Sequence, residues 1–196
     1  MPLSRRLTAD DLARTDAERE ALDRVRAMTG EADGPMERHG VRCFLICRRL
    51  ADRAGKRVDE EVLLVAGLLH DMGLYEGASR GGVYVTDGRR YAEAMLEGRE
   101  GWPADRIRLC GEAIERHHEL RSQWAAGTEV ELMRQADLIE VSCGLVDHGA
   151  GRGWLRGLWR AVPRDGIYPE VARIVGRALL ERPATVPKIF IRGRGR

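Results

Sequence analysis

Four side chains that could bind a metal occupy inward-facing positions in this sequence. His39 lies four residues before Cys43 on an apolar helical stripe, and the pair His70 and Asp71 ends a run that is apolar on all sides. Asp137 lies on a further apolar stripe, where an ionised carboxylate is costly unless a cation or strong donors compensate it. A divalent ion bound by two imidazoles and two carboxylates would satisfy all four groups and leave positions open for water. We therefore predict a metal site of the catalytic kind at these four residues.

Each of these residues also has an ordinary structural interpretation. A His-Asp dipeptide arises by chance in roughly a third of sequences with this composition. A histidine on an apolar stripe is usually a core residue with satisfied hydrogen bonds, and Asp137 could accept hydrogen bonds from Arg134 or Arg38. We favour the shared metal site because the separate interpretations require several coincidences at once.

Helical spacing predicts the elements that must position these side chains. Apolar residues three and four apart predict a helix from residue 36 to about residue 54. The run 62–69 is apolar on all sides and follows Asp59, which predicts a capped, fully buried central helix. A weaker stripe before Gly30 predicts a peripheral first helix. Further helix starts are predicted at capping side chains: Thr8 with Asp11, Asp87, and Thr128 with Glu131.

Alternating strand patterns are nearly absent, so the predicted fold class is all-α. The 196 residues suit one main domain. We divide the chain into an N-terminal helical extension (1–30), a helical domain (31–182) and a basic C-terminal tail (183–196). The cysteines lack the paired spacing of a zinc ribbon and lie in apolar stretches, so we expect all four in the core, in a reducing compartment: Cys43, Cys47, Cys110 and Cys143.

Composition excludes several classes of protein. No apolar run approaches the ~20 residues that cross a bilayer, and the first residues lack the apolar stretch of a secretory signal. We therefore expect a cytoplasmic protein without a membrane partner. The net charge of +2 is close to balance, which makes a nucleic-acid partner an unfavoured prediction.

These residues resemble the HD superfamily of metal-dependent phosphohydrolases, whose pattern is a His, a later His-Asp pair and a final Asp. The resemblance spans about residues 36–145 and lies in three stretches: MERHGVRCFLICRRLA with His39, LLVAGLLHDMGL with His70 and Asp71, and RQADLIE with Asp137. It implies an all-α HD-domain helical bundle with a central buried helix and a metal site in the core. It also implies a hydrolase that acts on a nucleotide or another small phosphoester.

Family members that bind two or three metals carry further histidines between the pair and the last Asp. This chain matches their HHE motif with His117, His118 and Glu119, but it lacks the histidine expected near residues 83–87. We therefore favour one divalent ion, which zinc, manganese, iron, cobalt or nickel could each provide, and leave a second ion open. The segment DGRRYAEAML, which begins at Asp87, is similar to cyanamide-hydratase-like members.

The expected chemistry is hydrolysis by metal-activated water. A metal ion lowers the pKa of a bound water from about 15.7 towards ~7, which supplies hydroxide for attack on phosphorus. Asp71 is expected to bind the metal and orient this water, and His117 or His118 to transfer a proton. Adjacent helical residues point ~100° apart, so we expect only one of these two histidines, His117 by preference, to reach the metal.

Positive side chains close to the proposed ligands should balance the charge of a substrate phosphate. The candidates for substrate binding are Arg38, Arg42 and Arg121. Trp124 is predicted to be a packing or rim aromatic. The expected partner is a small-molecule substrate, and a homodimer is left open.

Three other functions stay open at this point. The metal site could hydrate or cleave a small carbon-nitrogen compound, as the cyanamide-hydratase similarity implies. It could hold two irons in an HD-type oxygenase. The metal could also be structural, in a helical module that binds a partner, in which case Asp71→Ala would lower thermal stability and spare the cellular function.

Overall fold

The computed structural model describes residues 5–181, and these residues form a helical bundle without a strand. The helices are α1 (Asp16–Thr29), α2 (Pro35–Ala54), α3 (Glu60–Leu69), α4 (Tyr84–Leu96), α5 (Ala104–Glu115), α6 (Thr128–Val141), α7 (Arg152–Ala161) and α8 (Ile167–Glu181). A 3₁₀ turn, Met72–Leu74, follows α3. The predicted all-α fold class is therefore confirmed.

The central helix of the bundle is α3. Asp59 accepts a hydrogen bond from the Val62 N–H at 3.1 Å, and Glu60 and Glu61 suit the positive end of the helix dipole. Every residue from Val62 to Leu69 is buried, because α1, α2 and α5 pack around this helix. A helix that is apolar on all sides must be enclosed in this way. The predicted buried helix is confirmed.

Two glycines allow a close contact between α2 and α3. A Cβ atom on Gly40 would lie 2.4 Å from the carbonyl oxygen of Gly67, and one on Gly67 would lie 2.8 Å from the carbonyl oxygen of Gly40. Backbones approach this closely only where neither residue has a side chain. Gly40 follows His39, and Gly67 lies one helical turn before His70, so this contact brings the two histidines together.

The first helix belongs to the core, and the prediction of a peripheral helix is wrong. Ala17, Ala21, Leu22 and Val25 are each at most 3% exposed, and α1 packs against α3. Half of this stripe is alanine, which weakens the hydrophobic pattern in the sequence without preventing close packing.

The predicted start of α1 is also wrong. Thr8 donates its hydroxyl to Asp11 at 3.1 Å, but the two residues close a local turn and no helix follows them. The helix begins at Asp16, where the Thr15 side chain and the Glu18 side chain form a reciprocal capping box.

The carboxylates of Asp87 and Glu131, which we predicted to cap α4 and α6, bind backbone N–H groups of the preceding loops instead. Asp87 lies inside the first turn of α4, and its carboxylate accepts two backbone N–H groups from the preceding loop. Glu131 accepts the backbone N–H of Gln123 and does not pair with Thr128. The residue that caps α6 is Gly127, whose φ of 154° suits glycine. Both carboxylates therefore bind backbone donors outside their own helix.

Three of the four cysteines are buried as predicted, whereas Cys143 is exposed. It lies after the end of α6 and has a φ of 56°, so the chain has left the helix whose pattern placed it in the core. Beyond it, α7 and α8 extend the bundle to Glu181. The domain boundaries stay predictions, and the basic tail predicted over 183–196 lies outside the described residues.

Candidate metal centre

The four predicted metal ligands converge in the middle of the bundle. His39 Nε2 lies 3.1 Å from His70 Nε2, 3.7 Å from Asp71 Oδ2 and 3.5 Å from Asp137 Oδ1. His70 Nε2 lies 3.3 Å from Asp71 Oδ2 and 3.9 Å from Asp137 Oδ1. Atoms that bind one ion at about 2.1 Å stand about 3.0–3.4 Å apart at octahedral or tetrahedral angles. These separations suit a shared ion after small adjustments.

Neighbouring groups orient the imidazoles toward this centre. His70 Nδ1 lies 2.8 Å from the carbonyl oxygen of Gly67, so the proton is on Nδ1 and the lone pair of Nε2 faces the cluster. His117 Nδ1 lies 2.6 Å from the carbonyl oxygen of Ile114, which leaves its Nε2 in the same state. This hydrogen bond from the outer ring nitrogen is typical of histidines that bind metals.

The cluster needs a positive charge. Burial opposes the ionisation of Asp71 and Asp137, but the surrounding imidazoles hold the pKa of both carboxyls below its usual range. Burial also opposes the protonation of His39, yet Cys43 and the carboxylates of Asp137 and Glu140 raise the pKa of its imidazole. Two buried carboxylates therefore attract either a proton on His39 or a metal ion. The donor set fits a divalent cation.

Cys43 lies one helical turn after His39 and belongs to the same group of potential ligands. Its Sγ is 3.8 Å from His39 Nε2, and the spacing of the donor atoms of His39, Cys43, His70 and Asp137 could hold an ion. Burial raises the pKa of the Cys43 thiol to about 11. Its sulfur is therefore a neutral thiol unless a metal displaces the proton.

A second group of imidazoles contacts the outer oxygens of the same carboxylates. Asp71 Oδ1 lies 3.7 Å from His117 Nε2, and Asp137 Oδ2 lies 2.9 Å from His118 Nδ1. The centres of the two rings are 4.0 Å apart. Because both imidazoles lie against a carboxylate of the cluster, the prediction that only one of them reaches it is wrong. α5 ends at Glu115, and the helical angle of ~100° does not apply beyond that residue.

Tyr84, at the start of α4, completes this second group. Its hydroxyl lies 3.2 Å from His117 Nε2, and burial together with the nearby carboxylates raises the pKa of the phenol well above its usual value. It is a neutral hydrogen-bond donor to the His117 lone pair. It lies in the segment 83–87, where the family pattern has a further histidine. The sequence offers no signal that singles it out.

A cavity of about 180 Å³ opens onto the two groups. Its walls are mostly apolar and come from α2, α4, α6, α8 and the loops around them. The lining residues that matter for chemistry are His39, Asp71, Tyr84, His118, Asp137, Glu140 and Arg164. His118 is therefore open to a ligand, whereas His117 is 1% exposed and lies behind it.

The HD domain model matches residues 36–142, which is more than half of the chain. The chain belongs to the HD domain family. This membership indicates a metal-dependent hydrolase, and it agrees with the buried His, Asp and Cys cluster. No curated protein matches the chain closely enough to serve as a relative. The specific similarity to cyanamide-hydratase-like members stays a prediction.

Glu140 supports His39 in this HD domain, although the sequence analysis did not single it out. Its Oε2 lies 3.4 Å from His39 Nδ1 and accepts from Arg42 Nε at 2.5 Å, while its Oε1 accepts from Trp159 Nε1 at 2.8 Å. Burial opposes its ionisation, but His39 and Arg42 lower the pKa of Glu140 to about 2. The only sequence signal for Glu140 is its position in the RQADLIE stretch, three residues after Asp137.

The three arginines predicted to bind substrate do not line the cavity of the HD domain. Arg42 is fully buried, because it pairs with Glu140 and donates to the carbonyl oxygen of Pro163 at 2.7 Å. Arg38 donates to the carbonyl oxygens of Pro163 and Asp165 at 3.2 and 2.7 Å. Arg121 is exposed in the loop before α6. The arginine that does line the cavity, among the described residues, is Arg164.

Two further predictions concern single residues. Asp137 does not pair with Arg134 or Arg38, because Arg134 binds Glu131 and Arg38 binds backbone oxygens. Trp124 is 44% exposed, and the Lys56 ammonium lies 5.1 Å from its ring centre. It is a rim aromatic outside the cavity lining.

Within residues 5–181, every helix is too short or too polar to span a bilayer.

Proposed function

We propose that this HD domain is a metal-dependent phosphohydrolase that acts on a nucleotide or another small phosphoester. The observation that carries the proposal is the division of the two buried carboxylates. One oxygen of Asp71 and one of Asp137 face His39 and His70, and the other oxygens face His117 and His118. Such bridging carboxylates at the floor of a cavity suit a site for one or two metal ions.

The residues that would hold the ion are His39, His70, Asp71 and Asp137. A divalent ion at these ligands supplies Lewis-acid chemistry, since it polarises a phosphoryl oxygen and lowers the pKa of water. Zinc, manganese, iron, cobalt and nickel all suit two imidazoles and two carboxylates. His117 and His118 with the outer carboxylate oxygens would hold a second ion if one binds.

The other residues of the site have separate functions in this proposal. Glu140 holds the Nδ1 side of His39 and thereby directs Nε2 toward the centre. His118 lines the cavity and bonds Asp137, which places its imidazole where it can give a proton to a leaving oxygen. His117 is enclosed behind it and accepts the hydrogen bond of the Tyr84 hydroxyl at Nε2, which lies 3.7 Å from the outer oxygen of Asp71. Of the two histidines that the sequence leaves open for proton transfer, the proposal favours His118.

The test combines elemental analysis with a substrate panel. We expect protein purified without chelator to retain at least one transition metal per chain, and Asp71→Ala to lose it. Loaded wild type should release phosphate from a small phosphomonoester or a nucleotide, whereas Asp71→Ala should not. Glu131→Gln, a buried carboxylate on α6 away from the cluster, is the matched control. Release of phosphate from no phosphoester by metal-loaded protein would overturn the proposal.

The metal count decides the function of His118. With one ion per chain, His118 is a proton donor and not a metal ligand, so His118→Ala should lower kcat and leave metal content unchanged. Two ions per chain make His118 a ligand, and the same substitution should then remove one of them.

Two alternatives use the same site. The small, mostly apolar cavity also suits a small carbon-nitrogen compound, and ammonia or urea formation from cyanamide and related nitriles would favour hydration. The four carboxylate oxygens shared between two imidazole pairs also suit two irons. Two irons per chain with oxygen consumption would favour an oxygenase.

A further inference from the structure

Arg164 lies in the loop between α7 and α8, outside the residues matched by the family model. It lines the same cavity as His118 and Asp137. Among the described residues, it is the basic lining residue other than the histidines of the cluster. The cavity therefore has carboxylates and imidazoles at the metal centre and a guanidinium in its wall.

Hydrogen bonds from two arginines of α2 hold the backbone on both sides of Arg164. The carbonyl oxygen of Pro163 accepts from Arg38 and Arg42, and the carbonyl oxygen of Asp165 accepts from Arg38. Arg42 is itself fully buried. A surface loop without such bonds would allow its side chain many positions, whereas this loop holds Arg164 at the cavity wall.

Two aromatic rings also hold the guanidinium. The Cζ of Arg164 lies 4.7 Å from the centre of the Trp159 ring and 5.2 Å from that of the Tyr168 ring. Its Nη2 donates to the carbonyl oxygen of Glu140 at 2.7 Å. A planar guanidinium held between aromatic faces loses little further freedom when it binds an anion.

The Nε and Nη1 groups of this guanidinium have no hydrogen-bond partner among the described residues, because the hydrogen bonds of the Arg164 side chain come from Nη2. The Nε–H of Arg164 is buried and has no hydrogen-bond partner among the described residues. A buried donor without an acceptor is costly. Phosphate oxygens are the acceptors that a guanidinium binds most strongly, together with carboxylates.

The size and polarity of the cavity restrict the rest of the ligand. A volume of about 180 Å³ is smaller than the ~300–1,000 Å³ of pockets for drug-sized ligands. Met36, Leu74, Ile167 and Val171 give it apolar walls. A compact apolar group fits such walls, whereas a polar sugar would place hydroxyls against these apolar side chains.

We infer that Arg164 binds the substrate anion, and that the substrate is a small phosphomonoester with a compact apolar or aromatic group rather than a nucleotide. This inference rests on the proposed function. It assigns specificity to a loop outside the matched part of the HD domain. Arg38 and Arg42 are positioning residues for this loop.

The first experiment measures binding without turnover. Phenylphosphonate, a phosphomonoester analogue in which a C–P bond replaces the hydrolysable ester linkage, is titrated into metal-loaded protein by isothermal calorimetry. Arg164→Met keeps the length and packing of the side chain and removes its charge. We expect it to raise the Kd about 10- to 100-fold, as loss of hydrogen bonds to a charged group does, and Arg164→Lys to recover part of the affinity. Arg160→Met, at an exposed arginine on α7, should bind like the wild type.

Two results would overturn the inference. An unchanged Kd in Arg164→Met, with melting and metal content also unchanged, would show that the guanidinium only packs against the two rings. Adenosine 5′-monophosphate binding as tightly as phenylphosphonate would refute the size assignment.

Failure of the proposed function gives a different pattern. In that case wild type binds phenylphosphonate through Arg164 but releases phosphate from no ester. If the function holds and the inference fails, wild type hydrolyses phenyl phosphate and Arg164→Met does so with an unchanged KM.

Discussion

The stability of this HD domain should depend on its metal, because the cluster buries two carboxylates. Asp71 and Asp137 are 8% and 3% exposed, and without a metal the positive charge available to them is a proton on His39 or His118, whose pKa values neighbouring groups raise in spite of burial. A divalent ion binds the folded cluster, whereas the unfolded chain separates its ligands. Removal of the metal by a chelator should therefore lower the melting temperature, and Asp137→Asn should remove most of this effect.

The expected shift follows from linkage. An ion present at about 1,000 times its Kd stabilises the folded state by about 4 kcal/mol. A domain of about 150–250 residues gains roughly 2–4 °C in Tm per kcal/mol, so wild type should lose about 8–16 °C on chelation. Asp137→Asn removes one of the charged ligands and one buried negative charge. Its shift should fall below about 4 °C. Its metal-free form should melt below metal-free wild type, because the imidazoles that lower the pKa of Asp137 stabilise its ionised form in the folded state.

The measurement is a set of thermal melts by circular dichroism, with metal content checked by elemental analysis before each melt. Glu131→Gln is the control, since this buried carboxylate lies on the same helix and pairs with Arg134 instead of the cluster. It should keep the full shift. The electrostatic reasoning about the cluster is wrong if Asp137→Asn shows the same shift in melting temperature on chelation as Glu131→Gln. It is also wrong if removal of the metal leaves the melting temperature of the wild type unchanged.

Three other perturbations test the surrounding structure. Glu140→Leu leaves the buried Arg42 without its carboxylate and should lower the free energy of unfolding, measured by urea denaturation, by about 3–5 kcal/mol. The double variant Glu140→Leu with Arg42→Met should recover part of this loss. If it recovers none, the pairing of Glu140 with Arg42 is contradicted. Gly40→Ala places a Cβ 2.4 Å from a carbonyl oxygen and should destabilise by about 1–3 kcal/mol, whereas Gly157→Ala, with open space around it, should stabilise by up to ~1 kcal/mol; equal effects would refute the close helix contact. Cys143 is exposed, and hydrogen bonds with the Tyr168 hydroxyl and the Arg164 guanidinium lower the pKa of its thiol. Iodoacetamide at pH 7 should therefore label Cys143 well before the three buried cysteines. Equal labelling of all four cysteines, measured by peptide mass spectrometry, would contradict this.

The ligands of the candidate metal centre are predictable because strong local patterns fix the direction of each. His39 follows the apolar stripe of α2, and His70 ends a helix that is buried on every side. Asp137 lies at an inward position of α6. The contact between Gly40 and Gly67 supplies the remaining condition, a short distance between α2 and α3, which the sequence contains only as two glycines.

The geometry beyond helix ends is not predictable in this way. His117 and His118 follow the last residue of α5, so their directions come from the turn and not from the helical angle. Both rings reach the cluster as a result. Cys143 shows the same effect after α6, where a positive φ turns it to the surface.

The arginines show why nearness in sequence does not identify the residues that bind substrate. Arg38 and Arg42 flank the proposed ligand on α2, but their side chains extend to the carbonyl oxygens of Pro163 and Asp165. Those carbonyls enclose Arg164, which is distant in sequence from the ligands and yet lines their cavity. Arg38 and Arg42, which we expected to bind the substrate, therefore hold the loop that contains Arg164. Substitution of Arg38 or Arg42 should then weaken anion binding only as far as it releases this loop, which makes both residues positioning groups rather than ligands of the phosphate.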